Sequence, residues 1–322
     1  MRQTEERYIS LLTDFGFKRI FGSDINKDLL IDFLNSLFNG EQVVKNVTYL
    51  NSEHVGDVYA ERKAIFDVYC ENEHGEKFIV EMQNAYQTYF KDRSLYYATF
   101  PIREQAPKGD NWNFKLQHVY VVALLNNDMN EEAFSHESIN HDVGLLDKQT
   151  HKVFNNKLTF KYVEIARFNK DINELETNFD KWLYVLRNLS RLDNQPTYLR
   201  NEVFNRLFSQ AEIARFDKKE LKAYEDSLKA YRDIKNSLDT AKEEGRAEGL
   251  AEGRAEGHAE GLAEGLAEGR AKGHAEGLAE GASEKALTIA RELLAMNMSI
   301  DNFKKVTGLT DDEIHNLSNT SL

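Results

Sequence analysis

The sequence predicts a mixed α/β domain, a sheet with helices on its faces, continued by a helical region and a glycine repeat. Three observations carry this. Apolar spacing over residues 1–125 runs helix, three strands, helix, strand. Two short apolar runs, 65–70 and 78–80, flank His74-Gly75 as a hairpin would. Glycine then recurs at every fourth position from 245 to 281.

Residues 4–21 are expected to be a helix, because Tyr8, Leu11, Leu12, Phe15, Ile20 and Phe21 fall at roughly helical spacing. A second helix over 25–39 has Leu29, Leu30, Phe33, Leu34, Leu37 and Phe38 as its apolar face and Asn39-Gly40 as its stop. Residues 43–51 are the first strand. The hairpin supplies the next two: Ile65, Phe66, Val68, Tyr69 and Cys70 are interrupted only by Asp67, and Phe78, Ile79 and Val80 lead into Glu81 and Gln83. The helix over 84–105 is rich in aromatics, Tyr86, Tyr89, Phe90, Tyr96, Tyr97 and Phe100, expected to be core rather than a base-stacking platform. Residues 115–125 form a buried strand, 126–156 a polar excursion, and 158–168 a further strand. From 172 to 238 the chain is helical, packed on the sheet or separate from it.

Two strands that each carry a carboxylate need a cation or a proton there, since desolvating an ionised acid costs several kcal/mol or more. An odd-numbered connection centred on His74 sets Asp67 opposite Glu81, with Gln83 on the same face; a two-residue turn would oppose Asp67 to Met82. The first arrangement suits Mg²⁺ or Mn²⁺, which prefer oxygen ligands. His136, His141 and His151 fit no standard zinc spacing and have no thiolate nearby.

Asp67, followed after fourteen residues by Glu81-x-Gln83, resembles the signature of the PD-(D/E)XK nuclease superfamily. More narrowly it is similar to the Rpn group of recombination-promoting nucleases or putative transposases, in which Glu-x-Gln replaces Glu-x-Lys. The opening Thr13-Asp14-Phe15-Gly16-Phe17-Lys18-Arg19-Ile20-Phe21-Gly22 and the Gly-x-Ala-Glu repeats are similar to that group as well. The resemblance implies an αβββαβ core and a metal-dependent DNA endonuclease that promotes recombination or mobility of DNA. Asp67 and Glu81 would bind the ion and Gln83 would orient the water. Asp14 would assist from the first helix, or is a solvated capping acid; Lys18 is a phosphate contact or a surface lysine. Where the wider superfamily has a lysine this chain has Gln83, which holds water but brings no charge, and Arg93 or Lys91 would have to reach back.

The net charge of −13 argues against a protein that coats nucleic acid non-specifically. The excess is uneven: residues 243–281 hold ten acids against four bases. One cysteine, Cys70, fits a reducing compartment, and no apolar run suits a membrane span, so a cytoplasmic protein is expected.

These features divide the chain into a nuclease-like domain over 1–170, a helical region over 171–242, a repeat spacer over 243–282 and a small helix-turn-helix-like unit over 283–322. Ten glycines at about 1 kcal/mol each would leave the repeat helical only in part. In the last unit Ser283 is expected to cap one helix and Thr310-x-x-Glu313 another. The acidity of that second helix, Asp311-Asp312-Glu313, suits protein contact better than a DNA groove. DNA is the expected partner of the first domain, and the C-terminal helices are candidates for homo-oligomer contact. The competing function is a catalytically inactive DNA- or protein-binding module acting through the C-terminal helices.

Overall fold

The computed structural model describes residues 6–54, 64–107, 112–127, 129, 134, 135, 137–296, 300–308, 310 and 312. Its strands are β1 (Val47–Tyr49), β2 (Glu53–His54), β3 (Ala64–Ile65), β4 (Val68–Asn72), β5 (Lys77–Gln83), β6 (Val119–Leu125), β7 (Asn140–Leu146) and β8 (Val153–Glu164). Its α-helices are α1 (Asp14–Phe21), α2 (Lys27–Phe38), α3 (Phe90–Glu104), α4 (Asn178–Asn188), α5 (Glu202–Ala211), α6 (Lys218–Ala295) and α7 (Ile300–Thr307). By contact, residues 1–240 form one compact unit and 241–322 a second.

In the first unit six strands form one sheet in the order β1-β4-β5-β6-β8-β7. β1, β4 and β5 are antiparallel, β5, β6 and β8 run parallel, and β7 closes the edge antiparallel to β8. All seven residues of β6 are buried, as a central strand covered on both faces requires. Alternation divides them: Val119, Val121, Ala123 and Leu125 pack in the cluster that holds Phe90, Ala98 and Phe100 of α3. Tyr120, Val122 and Leu124 pack with α1, α2, α4 and α5 on the opposite face.

The helical region is therefore part of this core. Trp182 of α4 lies 5.5 Å from Phe21, 5.7 Å from Phe33 and 5.1 Å from Phe204, ring centre to ring centre. Its indole N–H is satisfied by Asp32 at 2.7 Å.

Several expectations are corrected. Residues 6–12 are not helical. Tyr8 bridges Glu212 and the Ile9 amide donates to Ala211 at 3.0 Å, so apolar residues at helical spacing are buried by pairing with a distant segment. The helix waits for Thr13, whose hydroxyl accepts the Gly16 amide at 3.1 Å. The run 65–70 is two strands, broken at Phe66 and Asp67, because β3 pairs with β2 while β4 pairs with β1 and β5. β7 lies inside the expected polar excursion, and most of its side chains are exposed, so no apolar alternation marks it. The aromatic stripe is divided: Phe90 and Phe100 are core, whereas Tyr86, Tyr89 and Tyr96 are exposed.

In the second unit the glycine repeat is helical throughout, within α6, and Ser283 opens no new helix. Alanine and glutamate between the glycines are strong helix formers and sustain it. The second capped helix expected from Thr310 lies outside the described residues, apart from Thr310 and Asp312. No described helix is long and apolar enough to cross a membrane.

Candidate active site

The hairpin between β4 and β5 pairs Val68 with Val80, Tyr69 with Ile79, Cys70 with Phe78 and Glu71 with Lys77. That register is centred on His74; one step further it sets Asp67 against Glu81. Gly75 at φ 74° supplies the left-handed turn. Ile79, Glu81 and Gln83 alternate onto the face of the sheet that α3 covers, and there Arg93 of α3 meets Gln83.

Asp67 stands in the bend before β4, and backbone bonds hold both acids. The Asp67 amide donates to Glu81 Oε1 at 3.1 Å, and the Met82 amide donates to Asp67 Oδ2 at 2.9 Å. One oxygen of each carboxylate is taken by an amide. Asp67 Oδ1 lies 3.8 Å from Lys18 Nζ, which in turn holds Asp14 Oδ1 at 2.6 Å. Asp14 thus reaches the pair through Lys18, a partly exposed lysine set between Asp14 and Asp67.

Burial dominates the electrostatics of the pair, and the nearby cations do not offset it. Burial, then the neighbouring Asp67 charge, pushes the Glu81 carboxyl up to about 8, against the pull of the Asp67 amide, Arg93 and Lys18. Burial raises Asp67 as well, opposed by the Met82 amide and by Lys18. Burial draws the Lys18 ammonium down, but its bond to Asp14 and the charges of Asp14, Asp67 and Glu81 leave it raised. Tyr97 is raised by burial and then by Glu81, which places its phenol within the field of the pair.

Arg93 meets Gln83. Its Nη2 donates to Gln83 Oε1 at 2.5 Å and its Nη1 to Gln87 Oε1 at 2.6 Å, while the guanidinium lies 5.0 Å from the Phe90 ring centre and 5.7 Å from that of Tyr97. The Gln83 amide nitrogen donates to the Ala85 carbonyl. Lys91, the other candidate, is exposed. Gln87 had no signal in the sequence, because it lies in the irregular stretch between β5 and α3. His141 is buried against Glu164 at 3.0 Å, His151 lies in an exposed turn, and His136 falls outside the described residues.

Among the described residues no group of three or more His, Cys, Asp and Glu side chains is placed to hold a metal ion. The Asp67–Glu81 pair does fit one hard divalent ion whose other ligands are water: it offers two buried carboxylates, each with an oxygen not bonded by an amide, and Lys18 and Arg93 do not offset their burial.

A model of the PD-(D/E)XK nuclease family transposases matches residues 11–241, which includes both acids, Gln83 and Arg93. The chain belongs to this family. A second model, for the C-terminal HTH domain of the Rpn/YhgA-like nuclease family, matches residues 283–319 and so takes in the end of α6 and all of α7. The PD-(D/E)XK assignment accords with the mixed six-stranded sheet and its flanking helices. No match was found among curated proteins or among solved structures.

Proposed function

We propose that this PD-(D/E)XK family protein is a divalent-metal-dependent DNA endonuclease that hydrolyses phosphodiester bonds and thereby promotes recombination or mobility of DNA. The observation that carries this is the acid pair, two buried carboxylates held on one face by reciprocal backbone bonds, with Glu81 raised by burial and by Asp67. Asp67 and Glu81 would hold Mg²⁺ or Mn²⁺ through their outward oxygens. The chemistry such an ion supplies is a lowered water pKa and stabilisation of charge building on the phosphate.

The protein's own groups do the rest. Gln83 Oε1 keeps a second lone pair to orient the attacking water while its first accepts from Arg93. Arg93 brings the positive charge that Gln83 lacks. Asp14 holds Lys18 toward Asp67, so the site keeps a cation for the incoming phosphate. The C-terminal 283–322 unit would contact DNA or a second copy of the chain. A catalytically idle binding module is the competing reading, favoured by the amide of Gln83 being bonded at both its oxygen and its nitrogen.

The deciding experiment is cleavage of supercoiled plasmid by wild type, Asp67→Ala and Glu81→Ala, each with Mg²⁺, Mn²⁺, Ca²⁺ or EDTA. Nicking by wild type alone, abolished by EDTA, supports the endonuclease. Three preparations that behave alike reject it in favour of the binding module.

A further inference from the structure

Beside the acid pair the surface opens into a cleft of about 660 Å³, walled by Tyr86, Tyr89, Tyr96, Gln87, Asp92 and Arg93. The rings are wet: Tyr89 is 74% exposed, Tyr86 55% and Tyr96 43%. Their burial therefore contributes little to folding. Tyr89, which precedes the first turn of α3, Arg93 and Tyr96 are four and three residues apart, so they share one face of the helix.

Arg93 is the wall the cleft shares with the acid pair. It donates to Gln83 on one side and to Gln87 on the other, and its buried Nε has no hydrogen-bond partner. Aromatic faces and the Gln87 amide line the cleft together with the guanidinium that binds Gln83, two residues from Glu81. Such a set matches a nucleic-acid strand with its bases out of the duplex, since every base offers a π-face and the cation matches the backbone phosphate. In a closed duplex those faces are already stacked.

We propose that this cleft is a stacking platform for unpaired bases, so that the preferred substrate is DNA with a single-stranded or extruded nucleotide beside the bond that is cut. This substrate class rests on the endonuclease reading above, but stacking is measurable without cleavage.

The test uses the full-length chain in EDTA and two DNAs of one sequence, one fully paired and one with a short single-stranded gap. Each carries 2-aminopurine at the gap position. Wild type is expected to quench the gapped probe and to bind it about tenfold more tightly than the paired one. Tyr86→Leu with Tyr89→Leu should abolish both differences at an unchanged melting temperature, and Tyr86→Phe with Tyr89→Phe should keep them.

With Mg²⁺ or Mn²⁺ present, the gapped DNA should also be cut faster by wild type and not by the leucine variant. Equal affinity for the two DNAs, or leucine variants that bind as wild type does, overturns the platform and leaves the cleft to a protein partner. Wild type that quenches the gapped probe yet cuts neither DNA sinks the endonuclease reading and leaves the platform standing.

Discussion

Asp67 and Glu81 are tied across the hairpin by a reciprocal pair of backbone bonds: the Asp67 amide donates to Glu81 at 3.1 Å, and the amide after Glu81, that of Met82, donates to Asp67 at 2.9 Å. Neither carboxylate can turn away without leaving a backbone amide unpaired, which costs about 1–3 kcal/mol where buried. The two are thus preorganised close together before anything binds. The consequence is a raised Glu81 carboxyl, pushed up first by burial and then by the charge of Asp67.

That raised carboxyl makes stability depend on pH. Glu81 moves from the ordinary 4.5 to about 8, so the folded state holds a proton that the unfolded chain has released, and stability falls as pH rises from about 5 to about 8. Asp67, also raised, acts in the same direction. Thermal melts in EDTA across that range should show the fall, and Glu81→Gln should flatten it. A divalent ion competes with the proton, so Mn²⁺ should raise the melting temperature more at pH 8.5 than at pH 6. An equal rise at both pH values would exclude Glu81 as a ligand.

The acid pair was legible as one of two registers that strand alternation allows, and the structure adopts the odd turn centred on His74 that puts Asp67 and Glu81 on one face. α2 was legible too, as a single amphipathic stripe closed by Asn39, which adopts a left-handed φ of 47°. What was not legible depends on partners distant in sequence. Tyr8 and Ile9 look helical until Ala211 and Glu212 are there to pair with them. Exposure of Tyr96 depends on which face of α3 the sheet covers, and that of Tyr86 and Tyr89 on the helix starting only at Phe90; both are set by packing, not by spacing. Arg93 was a candidate from sequence, but its bond to Gln83 needed the helix placed over β5.

Gly16 is expected to be indispensable to the opening motif. A Cβ there would sit 2.1 Å from the Ser10 carbonyl oxygen and 2.9 Å from the Thr13 hydroxyl, both held by the turn that starts α1. Gly16→Ala should therefore destabilise the protein by about 1–3 kcal/mol, as overpacking against backbone does. It should also lower cleavage, because Asp14 and Lys18 are placed by the same turn. Chemical denaturation checks the first effect, and a variant as stable as wild type would contradict it.

The repeat glycines should behave in the opposite way. At every one from Gly245 to Gly281 an added Cβ meets nothing within 4 Å, so no packing in the chain itself requires glycine. Gly257→Ala and Gly265→Ala should each stabilise the helix by about 1 kcal/mol and raise helicity measured by circular dichroism. Plasmid cleavage by the purified protein should not change. A loss of cleavage or of self-association in these variants would show that the glycines serve a contact between chains.

Exchange of Gln83 and Arg93 tests where the site's positive charge comes from. Gln83 is 6% exposed and accepts from Arg93, so Gln83→Lys alone would set two cations against each other in a buried position and remove the acceptor. Its expected outcome is lower stability and at least tenfold slower cleavage, although it restores the lysine of the wider superfamily. Arg93→Gln alone should slow cleavage by removing the charge. The double variant, Gln83→Lys with Arg93→Gln, again has one cation beside one amide and should recover most of the lost rate. Gln83→Lys that cleaves faster than wild type would mean that Arg93 does not supply the charge, and that the site works without a cation at this position.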